Sequence, residues 1–289
     1  MKIVSDRAMD MMPEQMAGLD MQLAPLLLTL EGRTYRSGVD IQPGEFYERL
    51  AATASFPTTS QPSAGDLAAI YRQVAQTDPE ILSIHISSGL SGTCNSAYTA
   101  AELVPEAAVT IFDSKTLSVA EGWQVEAAAR AARAGWSLER TLGLLERVRD
   151  ATQTFFTVAT LRYLIHGGRI SHIKGLLASM LNIKPVIAVE KERGIYVQVG
   201  QTRTLSKAIQ RMADLVAEQH APGCALRVQI PHGNNPEGAA MLHELLDQRF
   251  ACTWLPSGPI APVLGAHTGP GLVGVAFAPQ EIFTGEPWA

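Results

Sequence analysis

A chain of 289 residues with 46% hydrophobic and only 18% charged residues has the apolar mass for one large domain or two moderate ones. Its formal net charge of −5, with no run of Lys and Arg, argues against nucleic acid as a partner. No segment approaches the ~20 apolar residues that span a bilayer, and Met1 to Asp6 is too poor in apolar residues for a signal peptide, so no permanent membrane insertion is expected. Cys94, Cys224 and Cys252 are far apart and form no CxxC or Cys/His pair, which suggests neither a metal nor a disulfide framework and fits a reduced, cytoplasmic setting.

In chain order, Lys2 to Val4 predicts a short buried strand ending at Ser5-Asp6. Met11 to Met21 is Met-rich and reads as adaptable core, because Met fills irregular gaps. Leu26 to Leu30 and Arg33 to Tyr35 predict a hairpin turned at Glu31-Gly32. A helix follows from Pro43 to Leu50, with Glu45 in its first turn. Phe56 to Ser63 reads as a polar loop, and a further helix starts at Pro62.

Glu80 to His85 predicts a buried strand, and Asn95 to Leu103 a helix. Between them, Ile86-Ser87-Ser88-Gly89-Leu90-Ser91-Gly92-Thr93 turns small residues and hydroxyls toward a helix start. Such a loop suits an anion, and it equally suits a plain helix cap. The Thr59-Ser60-Gln61 loop has the same logic, so a convergent site gains weight from the pair. Ala108 to Phe112 reads as a strand, Ala120 to Ala134 as a helix, and Ser137 as the cap of another helix reaching Arg149. Thr154 to Ala159 is a further strand. This alternation predicts a mainly parallel sheet with helices on both faces.

Beyond Thr160 the pattern changes. Leu161 to His166 predicts a short helix closed by Gly167-Gly168, and Ser171 caps another through Leu181. Ile183 to Val189 and Gly194 to Val199 form a second hairpin. Leu205 to Glu218 is helical, Cys224 to Ile230 a strand, Pro236 to Arg249 a helix and Cys252 to Leu255 a strand. Gly265 to Gly271 leads into a closing strand, Leu272 to Phe277. The chain is therefore α/β, with one lobe over residues 1–158 and a second over 159–289.

Several motifs fail. Gly269-Pro270-Gly271-Leu272-Val273-Gly274 matches GxGxxG, but a strand follows and the chain ends before the acidic residue that a dinucleotide site needs. No GxxxxGK[ST] phosphate loop is present. Gly89-Leu90-Ser91-Gly92-Thr93 nearly matches a nucleophile elbow without its last Gly. A Ser/His hydrolase using Ser91 and His267 stays open only if the fold joins them. His85, His166, His172, His220, His232 and His243 show no metal spacing and read as surface or structural histidines.

Four segments together resemble the DegV family: Thr59-Ser60-Gln61-Pro62-Ser63, Ser88 to Thr93, Gly167-Gly168-Arg169-Ile170-Ser171, and His267-Thr268-Gly269-Pro270-Gly271. Asn182-Ile183-Lys184-Pro185-Val186 and Asp113-Ser114-Lys115 agree as well. The resemblance implies two α/β lobes with a lipid tunnel between them. It implies a FakB-type, non-catalytic subunit of a fatty acid kinase, placed in phospholipid metabolism. No cofactor is implied beyond the ligand, a long-chain fatty acid such as palmitate, stearate or oleate; the implied partner is the kinase's catalytic subunit. Thr59, Ser91 and His267 resemble the groups that hold the carboxylate, supported by Ser60, Gln61, Gly92, Thr93 and Gly269. Arg169 resembles an Arg that supports phosphoryl transfer. The chain departs from the family at Ser5-Asp6-Arg7-Ala8, where a Thr-Asp-Ser-Thr-like run is usual. It departs again at Cys94, where an aromatic is common, and at Ala120-Glu121, which replaces a more Gly-rich turn. A lipid-sensing regulator is a third possibility.

Overall fold

The computed structural model describes residues 1–170 and 183–288; the helix expected from Ser171 to Leu181, with His172, and Asn182 lie outside the described residues. The first part of the chain runs β1 (Lys2–Asp6), α1 (Pro13–Met16), β2 (Met21–Ala24), β3 (Leu27–Leu30), β4 (Arg33–Arg36), α2 (Pro43–Ala52) and β5 (Thr58–Ser60). It continues through α3 (Ala64–Ala75), β6 (Glu80–His85), α4 (Thr93–Glu102), β7 (Ala108–Asp113), α5 (Ser118–Arg133) and α6 (Leu138–Ala151). Four strands make a wholly parallel sheet in the order β2-β1-β6-β7. Ile81 to His85 are all buried, as a central parallel strand covered on both faces requires. α5 is buried almost all round, and its alanines let it pack close.

The rest runs β8 (Gln153–Thr157), α7 (Arg162–His166), β9 (Lys184–Glu190), β10 (Ile195–Thr202), α8 (Leu205–Gln219), β11 (Ala225–Gln229) and β12 (Pro231–His232). α9 (Pro236–Asp247), β13 (Ala251–Trp254), β14 (Gly258–Pro259), α10 (Pro262–Thr268) and β15 (Val273–Pro279) complete it. The second sheet has the order β10-β9-β8-β15-β11-β13, with β12 and β14 at one corner. Most of its pairs are antiparallel; β11 with β13 and β12 with β14 are parallel. A small third sheet, β4-β3-β5, flanks the two.

Three differences from the sequence matter for the site. Thr58–Ser60 is a strand, not loop: Thr59 pairs with Leu28 across an antiparallel edge. Opposite residues share a face, so Thr59 is turned to the side where Leu28 is fully buried. Residues 262–268 are helical, where only a Gly-rich approach to a strand was expected; Pro262 opens α10 and Gly269, with φ 69°, closes it. The expected lobe boundary at 158 follows β8, yet β8 hydrogen-bonds with β9 and β15 of the second sheet. The β-branched run 154–159 announced a strand without announcing its neighbours.

The Met-rich stretch packs as core: Met11 is buried beside Trp123 and the α5 alanines, with Met9 just before it, and Met16 and Met21 are partly buried against the same cluster, Met21 opening the unexpected strand β2. Ser63 and Ser137 cap α3 and α6 by accepting from Asp66 N and Arg140 N at 3.1 and 3.3 Å. Among the described residues no helix is long and apolar enough to cross a membrane.

Candidate functional site

The loop between β6 and α4 is braced from two sides. The Ser87 hydroxyl donates to Gly194 O at 2.8 Å, in the turn between β9 and β10. The Ser88 hydroxyl donates to Asp113, which also pairs with Lys115 at 2.9 Å. These partners hold the Asp113 carboxyl below its usual pKa, against the opposing effect of burial. Ser87 and Ser88 are thus spent on internal bonds. Ser91 is left at the mouth, where its Oγ lies 2.9 Å from Thr93 Oγ1 and accepts from Thr93 N at 3.3 Å. The N-cap of α4 is Gly92, which has no side chain to offer, so the hydroxyl nearest the helix start is that of Ser91.

The second polar segment meets the first. A Cβ on Gly92 would lie 2.8 Å from Gln61 Nε2, so glycine there lets β5's following loop close over the start of α4. Thr59 Oγ1 and His267 Nε2 are hydrogen-bonded at 2.7 Å, joining β5 to the last turn of α10. His267 Nδ1 is buried, has no hydrogen-bond partner among the described residues, and sits against Gly167, where a Cβ would come within 2.1 Å of it. Burial, helped by the nearby Arg169 and His166, pushes the imidazole down to a pKa of about 4. It is neutral at pH 7. Arg169 donates to Gly167 O at 2.7 Å and to Leu90 O at 3.3 Å, so it ties the α7 end to the Ser91 loop.

Thr59, Ser91, Arg169 and His267 all line one cavity, together with Ser60 and Gln61. Its remaining wall is mostly apolar: Leu26, Ile86, Leu90, Leu117, Phe156, Tyr196, Ile260, Val263, Leu264 and Leu272. Ser91, Gly92 and Arg169 also line a polar groove on the outer side of the loop, with Ser88 and Asn95. Gly269 does not line the cavity; it ends α10, packed on Tyr163. Thr93 is buried behind Ser91. Chemically, this is an apolar slot with two hydroxyls, a neutral imidazole and a guanidinium gathered on part of its wall.

A Ser91–His267 hydrolytic pair does not form: Ser91 Oγ is bonded to Thr93, and the imidazole faces Thr59. His85 is a buried structural histidine, bonded to Asp6 at 3.1 Å and to Ser83 at 2.8 Å. Sequence reasoning missed Asp10 and Ser37, whose side chains accept from Ala261 N and Val263 N at the start of α10. The signal available was Pro262 with Gly269, which marks a short helix in need of N-terminal acceptors.

The model of the DegV family, described as "Uncharacterised protein, DegV family", matches residues 1–280. A DegV domain-containing protein of Deinococcus radiodurans is 36% identical over 277 residues, covering 96% of this chain and 95% of its own length. Among solved structures, a DegV family protein from Thermus thermophilus, described as binding fatty acid, is similar with a TM-score of 0.87 and 32% identity, over 96% of this chain and 99% of that one. DegV from Bacillus subtilis, described as a fatty acid binding protein, aligns with a TM-score of 0.87 and 29% identity, over 96% and 98% of the two chains.

Proposed function

The chain belongs to the DegV family, and from that premise we propose that it is a fatty-acid-binding protein that presents its ligand to a separate ATP-dependent kinase. The observation that carries the proposal is the Thr59–His267 hydrogen bond set in the wall of a mostly apolar cavity. An acyl chain of ~15 methylenes gains up to ~12 kcal/mol on burial before ordering costs. Its carboxylate would cost several kcal/mol to bury without partners. Thr59, Ser91 and His267 supply those partners as neutral dipoles, and Arg169 adds charge beside them. In this reading the carboxylate oxygen stays nucleophilic, because its direct partners are neutral and Arg169 already donates to Leu90 O and Gly167 O.

The chain does no chemistry of its own in this proposal. ATP and Mg²⁺ belong to the partner kinase, and Arg169, which borders both the cavity and the outer polar groove, steadies the transferred phosphoryl group. Native mass spectrometry of freshly purified protein is expected to detect co-purified fatty acid. A preparation free of lipid that also refuses oleate and palmitate would overturn the proposal. Lipid binding without acyl phosphate formation, when ATP and a fatty acid kinase are supplied, would favour a lipid-sensing regulator instead.

A further inference from the structure

α10 lies late in the sequence, yet both of its ends are bonded to early residues. At its C-terminal end, His267 meets Thr59. At its N-terminal end, a helix leaves backbone N–H groups that need outside acceptors. Pro262 has no N–H. The two flanking donors go to buried side chains from the first forty residues: Ala261 N to Asp10 Oδ1 at 2.7 Å, and Val263 N to Ser37 Oγ at 3.1 Å.

Asp10 has a second load. Its Oδ2 accepts from the Ser118 hydroxyl at 2.5 Å, and Ser118 N donates to Ala8 O at 2.9 Å. Ser118 has φ 57°, in the left-handed region that a serine seldom adopts, and it lines the same cavity as His267. One buried carboxyl thus fixes the start of α10 and, beside it, a strained residue of the cavity lining.

We propose that Asp10 is a positioning residue for the ligand's headgroup: by holding Ala261 it sets α10, and through α10 it sets His267 against Thr59. This inference rests on the fatty-acid reading above only for its ligand measurements. A change of α10 would expose His267, whose low pKa comes first from burial and then from Arg169 and His166. The imidazole therefore reports on the helix without any ligand.

The test uses Asp10→Ala, Asp10→Asn and Ala261→Pro in the full chain. Ala261 has φ −54°, which suits proline, so Ala261→Pro removes the N–H that Asp10 accepts and puts the ring Cδ in its place, which displaces the Asp10 carboxyl from the start of α10. This variant carries the test if Asp10→Ala fails to fold. For Asp10→Ala and Ala261→Pro, NMR titration is expected to move the His267 pKa from about 4 toward its ordinary 6.5. Oleate binding should weaken about tenfold, the scale of one lost hydrogen bond to a charged group, while methyl oleate, with the same tail, changes less than about twofold. Asp10→Asn keeps an acceptor for Ala261 and should stay near wild type in both readouts. An unmoved His267 pKa, or equal losses for oleate and methyl oleate, would overturn the proposal. If wild type binds neither lipid, the fatty-acid reading fails while the His267 titration still decides the role of Asp10.

Discussion

Replacing Thr59 by valine removes one hydroxyl and keeps the shape, so it isolates the 2.7 Å bond to His267. A site that loses this donor should bind oleate about tenfold more weakly, since hydrogen bonds to charged groups contribute about 1.5–3 kcal/mol. Calorimetric titration measures it, and an unchanged affinity would remove Thr59 from the headgroup site. His267 also makes a prediction in pH. Its pKa is about 4 in the fold and near 6.5 when exposed, so the unfolded chain binds more protons between those values. Its contribution is therefore full above pH 6.5 and lost as pH falls toward 4, about 3 kcal/mol in all. Asp10 runs the other way: burial raises its pKa to about 7 from 3.8, so its contribution is full below 3.8 and lost as pH rises through 7. The two slopes oppose each other in one window. Denaturant unfolding of His267→Gln from pH 4 to 7 should accordingly show a loss relative to wild type that vanishes near pH 4 and is greatest near pH 7. The residue types of this site were legible as hydroxyls and an imidazole in loops. Asp10 was not, because it acts on residue 261 and nothing in its neighbourhood in the sequence announces that distance.

Elements explain why some of the site could be read and some could not. The Ser91 loop follows a strand of six residues and precedes a ten-residue helix, so its place was fixed by strong local patterns. β5 has only three residues and α10 seven, too short for a period to show. Yet these two short elements carry Thr59 and His267. β5's side chains alternate, so inserting one residue between Pro57 and Thr58 should turn Thr59 from the buried face to solvent if the pairing with β3 persists. Because β5 is an edge strand of a small sheet, the melting temperature should fall only slightly while oleate affinity drops at least as far as in Thr59→Val. A variant that melts normally and binds oleate like wild type would show that the register does not aim Thr59. At the following helix, Ser63→Ala removes the acceptor for Asp66 N and should cost about 1 kcal/mol of stability, read in denaturant, without changing affinity.

At the scale of the whole molecule, alternating strands and helices announced the parallel sheet, whose strands arrive in βαβ order with helices between them. The second sheet was legible strand by strand but not in its order. β8 pairs with β15, more than a hundred residues later, and long-range antiparallel pairing leaves no mark in either segment. The cavity shares this origin. Its walls come from Leu26 and Thr59, from Ile86 to Leu117, and from Phe156, Tyr196 and the 260–272 stretch, so no single stretch of sequence encloses it. A ligand seated there would touch parts of the chain that local helices and strands do not join, and would stabilise the fold as a whole. Binding to the native state alone contributes RT ln(1 + [L]/Kd), about 2.7 kcal/mol at a hundredfold excess over Kd. For a chain of this size that is a rise of several degrees in melting temperature, about 5–10 °C. Calorimetric scans with and without oleate should show it as one cooperative transition displaced upward, growing with the logarithm of oleate concentration. Octane should shift the transition less, because it buries about half as many methylenes and brings no carboxylate to the hydroxyls. Equal shifts for oleate and octane at matched free concentration would mean that the polar residues in the wall take no part in holding the ligand.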